Sequence, residues 1–449
     1  MQSHSDTIVA LATPIGSAGV AVIRVSGSKV FAIATALTKQ ALKPRHATYT
    51  PFYNHNQQIL DQGIAIYYQA PHSFTGEDIL ELQGHGGMII IDLIIKAIIA
   101  KGARIAHPGE FSERAFLNNK IDLIQAEAIA DLISASSSAA AASAMRSLQG
   151  EFSKKIGALV NSIIYLRTYI EAAIDFVEEE INFLQNDQIL QEIKKIQENI
   201  KNIQYQAKQG SLLREGISIV IAGRPNVGKS TLLNCLSGND RAIVTDIAGT
   251  TRDVIREYII MDGIPLHILD TAGLHDSKDK IEQEGIRRSY TEIARADFVL
   301  LMTDDLQKDY VLLDEIMQKI PKTAHLILLK NKIDLQAKKA CITQTEHAFV
   351  ISISAKTGEG IDLLKNKIKS CIGLQETNEG IFSARSRHIE ALKKAENFLQ
   401  NATHTLKQKS YELLAEDLRL TQQALNEITG EFTSDDLLGK IFSSFCVGK

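Results

Sequence analysis

Cysteine is scarce in this chain, and it contains no apolar run long enough to cross a bilayer. Four cysteines occur in 449 residues without a C-x-x-C pair, which argues against a disulfide framework or a zinc ribbon and favours a reducing, cytoplasmic environment. The most apolar segment, residues 88–100, carries Asp92 and Lys96, and we expect a buried helix there. The N-terminus lacks the basic start and long apolar core of a signal peptide. The cysteines are Cys235, Cys341, Cys371 and Cys446.

Neither sign of charge predominates. The 49 basic and 53 acidic side chains give a net charge of -4, with no long block of one sign. This balance argues against a domain whose main task is to coat nucleic acid or an anionic membrane. Hydrophobic residues make up 45% of the chain and charged residues 23%, as in ordinary folded proteins. A chain of this length is expected to form about two to four folding units.

The residue pattern changes three times along the chain. Short β-branched runs predict an α+β domain over residues 1–120, and helical periodicity predicts the first part of an all-α domain over 121–212. Over 213–375, apolar strands alternate with Gly-rich turns and helices, which indicates an α/β domain with a mostly parallel sheet. The helical pattern returns over 376–449. The sequence therefore predicts a multidomain α+β and α/β protein, with the α/β domain inserted into a helical one.

Two shorter segments give sharper expectations. Residues 256–269 are typical of a β-hairpin with an Asp262-Gly263 turn. The Ser/Ala-rich stretch 134–147 has the composition of a linker, but alanine is the best helix former. We favour a tight helix-packing surface for this stretch over a linker.

A phosphate-binding motif opens the α/β domain. The string GRPNVGKS (223–230) matches G-x-x-x-x-G-K-[ST] between a predicted strand and a predicted helix. Its backbone amides can curl around phosphates, Lys229 can reach the outer phosphates, and the Ser230 hydroxyl can ligate Mg²⁺. The strand-loop-helix setting disfavours an ordinary turn with a solvated lysine. The predicted GTP-binding residues here are Asn226, Val227, Gly228, Lys229, Ser230 and Thr231.

Three further motifs follow in the order that a guanine-nucleotide site requires: DTAG, NKID and SAK, each at the end of a predicted strand. Asp334 can accept from guanine N1–H and the exocyclic amine, a bidentate contact that adenine cannot supply. The Lys332 stem can cover the base, Asn331 can brace the loop, and the Ala355 amide suits the guanine carbonyl oxygen. The predicted GTP-binding residues in these motifs are Asp270, Thr271, Ala272, Gly273, Asn331, Lys332, Asp334, Ser354, Ala355 and Lys356.

The loop TDIAGTTRD is the second element expected at the γ-phosphate. Thr251 is predicted to ligate Mg²⁺ with Ser230. Leu274 follows DTAG where many GTPases place a water-orienting Gln, so another group must position the water. Glu282 is our candidate, although a Glu in such a charged loop is usually a solvated surface group. The predicted GTP-binding residues of the loop are Thr245, Asp246, Ile247, Ala248, Gly249, Thr250 and Thr251.

Longer strings narrow the assignment. GRPNVGKS, DIAGTTRD and DTAGL resemble the GTPases of the TrmE-Era group. HSFTGEDILELQGHGG (72–87), PGEFSERAFLNNKIDLIQAEAIADLI (108–133) and the terminal FCVGK resemble the MnmE (TrmE) family of tRNA-modification GTPases. The similarity runs from end to end, and the last three strings are much more specific than the G motifs.

This resemblance implies a function and partners. It implies a folate-binding N-terminal domain that also mediates homodimerisation, and a G domain inserted in a helical domain. It further implies a heterotetramer with an FAD-containing partner, MnmG (GidA), that adds an aminomethyl or carboxymethylaminomethyl group to wobble uridine of tRNA. A tetrahydrofolate derivative, 5-formyl or methylene, would supply the one-carbon unit. Because the net charge is near neutral, we expect the partner to hold much of the tRNA.

The resemblance also implies roles for individual residues. Family folate contacts fall on Arg24, Glu81, Lys120 and Lys449. A potassium site falls on Asn226 with Thr245, Ile247 and Thr250, where K⁺ would supply the charge of an arginine finger. Glu282 matches the water-positioning glutamate, and dimerised G domains are implied as the active form. Cys446, in C-x-G-K, either takes part in the modification or is an inert core thiol. The candidate catalytic residues are Glu282, Lys229 and Cys446.

Two other functions remain open at this point. An Era-like or Der-like GTPase would bind RNA or assist ribosome assembly without one-carbon chemistry. The chain, however, has one Walker A string rather than two and no G-x-x-G loop of a KH domain. The third possibility is a folate-dependent aminomethyltransferase with a regulatory G domain.

Overall fold

The computed structural model describes residues 6–175, 186–237, 256–270, 287, 289–304, 310–336, 338–345, 348–373, 380–430, 441–442, 445 and 448. The chain forms two compact units. Unit 1 comprises Met1–Ala130, Ser147–Gln197 and Ala391–Lys449, and unit 2 comprises Asp131–Arg146 and Glu198–Glu390. No helix in the described ranges is both long and apolar enough to cross a membrane.

Unit 1 contains a six-stranded mixed sheet. Its order is β3-β4-β5-β2-β1-β6, antiparallel except for the parallel pair β1 and β6. Helices α1 (Val30–Thr38) and α2 (Met88–Ile99) pack on one face over a core of aliphatic side chains. The strands are β1 (Thr7–Leu11), β2 (Ala18–Ser26), β3 (Thr48–Tyr53), β4 (Ile59–Tyr68), β5 (Ile79–Gly86) and β6 (Ala103–Ile105).

Helix α2 corrects one expectation. The apolar segment does form a helix, but only one side of it is buried: Ile91, Ile94 and Ile98 face the core, whereas Ile89 is 78% exposed. A helix on the outer face of a sheet needs one apolar stripe for its contact. Ile90 and Ile95 border that stripe and are partly buried against the core, whereas Ile89 and Ile99 lie outside it.

Unit 1 also contains helices outside this sheet. Helix α3 (Glu110–Leu117) follows the sheet, and α6 (Glu151–Asp175) packs on α12 (Tyr411–Thr429), where Arg167 Nη1 donates to Gln422 Oε1 at 2.8 Å. Some helices have residues in both units: α4 (Leu123–Ile133), α5 (Ser138–Leu148), α7 (Asn186–Glu215) and α11 (Ser386–Lys407).

Unit 2 contains a seven-stranded sheet in the order β12-β13-β11-β10-β7-β9-β8. The five strands from β13 to β9 are parallel, and an antiparallel strand closes each edge. Apolar clusters cover both faces, as the sequence predicts. The elements are β7 (Ile217–Gly223), α8 (Lys229–Ser237), β8 (Arg256–Met261), β9 (Ile264–Asp270), β10 (Phe298–Thr303), α9 (Tyr310–Lys319), β11 (His325–Lys330), β12 (Ile342–Gln344), β13 (Phe349–Ser352) and α10 (Ile361–Ile372).

The two sharper expectations are confirmed by the backbone. Strands β8 and β9 form the hairpin, and its turn residues Asp262 and Gly263 have φ values of 51° and 87°, as a type I′ turn requires. The Ser/Ala stretch is helical from Ser138, and Ser143, Ala144 and Ser147 are each 1% exposed. The stretch is therefore a packing surface.

A carboxylate ties three distant segments of unit 2 together. Asp131, 6% exposed, accepts hydrogen bonds from Arg214 Nε at 2.7 Å, Arg385 Nη2 at 2.8 Å and Ser383 Oγ at 2.7 Å. Arg214 precedes the first strand of the parallel sheet, and Ser383 and Arg385 follow its last helix. The segment that precedes the parallel sheet and the segment that follows it thus bind the same Asp131 carboxylate.

Candidate functional site

The phosphate-binding motif forms a loop between β7 and α8. Gly223 ends the strand with φ 148°, and Gly228 precedes the helix with φ 104°. A Cβ on Gly223 would clash with the Met302 carbonyl, and one on Gly228 would clash with the Asn331 side-chain amide. Both positions therefore require glycine, and the backbone can approach a ligand closely there.

Lys229 is held over this loop. It is 9% exposed, and its Nζ donates to the carbonyl oxygens of Gly223 at 3.0 Å and Arg224 at 3.1 Å. The ammonium is thus directed at the loop itself, which is where a phosphate bound by the loop amides would need a positive charge. Ser230 and Thr231 follow on the exposed side of the first turn of α8.

Asn331 joins three loops at the carboxyl ends of the parallel strands. Its Nδ2 donates to Val227 O in the phosphate-binding loop at 2.8 Å, and its Oδ1 accepts from the Ala355 amide at 2.9 Å. The side chain is 4% exposed. Ligand sites of open α/β sheets lie at this edge.

The Ala355 amide has a different partner from the one we expect. We predict that it contacts the guanine carbonyl oxygen, yet here it donates to Asn331. A contact with a base oxygen would have to share or replace this hydrogen bond.

Asp334 is exposed beside this junction, at the start of a short 3-10 helix over Ile333–Gln336. Ser354 Oγ donates to Asp334 Oδ1 at 2.7 Å and so orients the carboxylate. Lys332, with φ 64°, extends its Nζ to Asn226 O at 3.0 Å. Lys356 is exposed on the same loop as Ser354. The residues predicted for phosphate and for base therefore lie along one edge of one sheet.

Part of the predicted site falls outside the described residues. Asp270 ends β9, and its side chain is not among those described. The other predicted residues outside the described ranges are Thr245, Asp246, Ile247, Ala248, Gly249, Thr250, Thr251, Thr271, Ala272, Gly273, Glu282, Cys446 and Lys449.

In unit 1, two of the residues implied for folate form an ion pair. Arg24 of β2 lies opposite Glu81 of β5; its Nε donates to Oε1 at 2.9 Å, and its Nη2 lies 2.8 Å from the same oxygen. The side chains are 21% and 15% exposed. The rings of Phe74 and Phe111 lie 5.8 Å and 5.9 Å from the Arg24 guanidinium carbon.

The segment between β4 and β5 brings Lys120 to this region. Lys120 Nζ donates to Pro71 O at 3.0 Å, and the same segment supplies Phe74 beside Arg24. Asn118 Nδ2 donates to Thr75 O at 2.7 Å. This segment therefore contacts both Arg24 and Lys120.

A buried ionic network fixes that segment. Arg114, 1% exposed, donates from Nη1 to Glu77 at 3.0 Å and from Nη2 to Glu110 at 2.9 Å. Burial alone would raise the pKa of Glu110, but hydrogen bonds from Arg104, the His107 amide and Arg114 lower this pKa to about 2. Sequence reasoning missed Arg114 and its partner Glu77, because nothing in the sequence indicates that Arg114 is buried.

The parallel sheet, its glycine loop with Lys229 and the aspartate beside the Asn331 junction define a P-loop GTPase. Two family models match the chain: "GTP-binding protein TrmE N-terminus" over residues 7–120 and "MnmE helical domain" over residues 123–446. The chain belongs to the MnmE family of tRNA modification GTPases.

Two relatives aligned over nearly the whole chain agree with this membership. A tRNA modification GTPase MnmE of Mannheimia succiniciproducens is 55% identical over 450 residues, and one of Legionella pneumophila (strain Paris) is 57% identical over 448 residues; each alignment covers 99% of both chains. Among solved structures, Aquifex aeolicus Era bound to GDP.AlF4- is 27% identical with a TM-score of 0.28, covering 40% of this chain and 66% of that one. The G domain of T. maritima FeoB is 28% identical with a TM-score of 0.27, covering 34% and 98%.

Proposed function

We propose that this tRNA-modification GTPase forms the 5-aminomethyl or 5-carboxymethylaminomethyl group of wobble uridine, together with an FAD-containing MnmG (GidA) partner and a tetrahydrofolate one-carbon unit. The observation that carries the proposal is the Arg24–Glu81 pair within a TrmE N-terminal domain. The same chain carries a guanine-nucleotide site, so both activities belong to one protein.

The proposal divides the chain as its residue pattern predicts. Residues 1–120 bind folate and mediate homodimerisation, and 213–375 bind GTP. Segments 121–212 and 376–449 form the helical domain. The mixed sheet over Thr7–Ile105 and the parallel sheet over Ile217–Ser352 support this division.

The nucleotide site fits GTP with Mg²⁺. Lys229 neutralises the outer phosphates, and Ser230 and Thr251 hold the metal. Asp334 reads the base, and Ser354 orients the Asp334 carboxylate. Mg²⁺ supplies positive charge to the phosphate oxygens. The Asn331 junction fixes the spacing between the phosphate and base ends, because it bonds to both loops.

The K⁺ site is proposed on Asn226, Thr245, Ile247 and Thr250. Asn226 supports it by its position in the phosphate-binding loop, where it precedes Lys229 by three residues. Glu282 positions the attacking water.

Cation dependence tests this part of the proposal. GTP turnover should be on the order of tenfold or more faster in KCl than in NaCl, because a fixed cation stabilises the charge that develops in the transition state. Equal turnover in the two salts at equal ionic strength would remove the ion site.

The folate site fits a pterin. Glu81 is a partly exposed carboxylate that can accept from the amidine-like edge, and Arg24, in contact with Glu81, lies at the same end of the ligand. Lys120 and Lys449 are cations suited to the ligand's glutamate. A bound folate supplies the one-carbon unit. The residues of this chain bind and orient it, and the thiol of Cys446 is proposed to take part in the modification.

The proposed assembly is a cytoplasmic homodimer that joins MnmG as a heterotetramer, with tRNA held largely by the partner. The net charge of -4 supports this distribution. Retained folate on purified protein, reduced in Glu81→Gln, is the expected result. Tight ribosomal co-sedimentation without loss of wobble modification in a deletion strain would favour an Era-like or Der-like ribosome-assembly role.

A further inference from the structure

Two consecutive tyrosines end strand β4 and face opposite sides of the sheet. Tyr67 is 5% exposed on the helix-covered face, where its hydroxyl donates to Asp78 Oδ2 at 2.9 Å. Tyr68 is half-buried on the other face. Side chains alternate along a strand, so Tyr68 shares its face with Glu81, whose direct partner on β4 is Ile66.

The strand register brings Tyr68 to Glu81. Tyr68 is paired with Ile79, which makes it the diagonal neighbour of Glu81, a distance that a tyrosine can span. The Tyr68 hydroxyl can therefore reach the Glu81 carboxylate and donate to it. Burial, and next the charge of Glu81, raise the pKa of Tyr68, so the hydroxyl remains a donor at neutral pH.

Glu81 is therefore held from two strands. Arg24 approaches it from β2 and directs Nε and Nη2 at Oε1, and Tyr68 approaches it from β4. An ionised carboxylate has roughly four acceptor positions, so this arrangement fixes its orientation and leaves acceptor capacity for a ligand. The partial exposure of the pair shows that a ligand can reach it.

We propose that Tyr68 is a positioning residue of the folate site, which holds the Glu81 carboxylate in the orientation that accepts from the 2-amino edge of a pterin. This inference rests on the proposed folate function. It also predicts specificity. A ligand with a hydrogen-bond donor on this edge binds more tightly because the carboxylate is ordered, whereas a ligand without that donor gains no affinity.

The experiment measures dissociation constants of the full-length protein for 5-formyltetrahydrofolate and for its 2-desamino analogue. Tyr68→Phe should weaken 5-formyltetrahydrofolate binding about tenfold, as expected for the loss of a hydrogen bond to a charged group. It should change binding of the desamino analogue much less. Tyr67→Phe, the adjacent tyrosine with a carboxylate partner on the opposite face, should leave both affinities unchanged.

A second variant separates positioning from general disruption. In Glu81→Gln, the added Tyr68→Phe change should weaken 5-formyltetrahydrofolate binding less than it does in the wild type, because the two groups act as one unit. Equal weakening of both ligands, or no weakening by Tyr68→Phe while the wild type binds, would overturn the inference alone. A wild type that binds neither ligand would overturn the proposed folate function with it.

Discussion

At the scale of single residues, the nucleotide site depends on side chains that donate and accept at once. Asn331 can join the phosphate-binding loop to the Ala355 loop because a carboxamide carries both NH₂ and oxygen. An aspartate at this position would lack the donor for Val227 O. Ser354 acts similarly, donating to Asp334 and accepting from the Thr357 amide at 3.3 Å.

The base-reading role of Asp334 predicts a change of nucleotide preference. In Asp334→Asn, one carboxylate oxygen becomes an NH₂ group, which can donate to the 2-oxygen of xanthine but repels the guanine amine. Competition binding should show GDP weakened by roughly tenfold or more and XDP strengthened. Unchanged affinity for GDP would contradict the assignment of Asp334.

Glu110 predicts a pH dependence of stability. Its pKa of about 2 in the folded protein lies below the ordinary 4.5, so its ionised form adds stability above about pH 4.5, and this is lost as pH falls towards 2. Glu110→Gln should lower the unfolding free energy by roughly 2–3 kcal/mol at pH 7, and the difference from wild type should shrink as pH falls from 4.5. Urea unfolding of the variant and the wild type at several pH values measures this difference in unfolding free energy. Glu416→Gln, at an exposed ion pair with Arg419, is the control and should change little.

At the scale of elements, a turn set by adjacent residues could be predicted from the sequence, whereas contacts between residues far apart in sequence could not. The β8–β9 hairpin could be predicted from an Asp-Gly dipeptide between two segments of alternating apolar residues, because its turn needs two residues that tolerate positive φ. The Asp131 junction had no such signal, since its partners Arg214 and Ser383 are 83 and 252 residues away in sequence. Arg24 and Glu81 were singled out only through family resemblance, and their ion pair was not predicted, because strand register cannot be read from either strand alone.

The Asp131 junction predicts a large loss of stability. Asp131→Ala leaves two mostly buried guanidinium groups without their shared anion and should lower the free energy of unfolding of unit 2 by about 3 kcal/mol. Thermal unfolding monitors the change. The matched control is Asp262→Asn, which removes an exposed carboxylate paired with Lys369 but retains a residue suited to the turn. If both variants shifted the transition equally, the junction would have no special role.

At the scale of the whole molecule, the two proposed sites lie in different units. The Arg24–Glu81 pair lies in unit 1, and Lys229 with Asp334 lies in unit 2. The separation of the two sites in different units means that a variant in either unit can remove one chemistry and leave the other unit folded. Our proposal requires both chemistries for one product.

Mass spectrometry of wobble nucleosides from a deletion strain tests this requirement most directly. Complementation with the wild type should restore the modified uridine, whereas Lys229→Ala and Glu81→Gln, expressed at wild-type levels, should each leave it absent. Full modification with either variant would contradict the claim that GTP turnover and folate binding in this chain serve the same reaction.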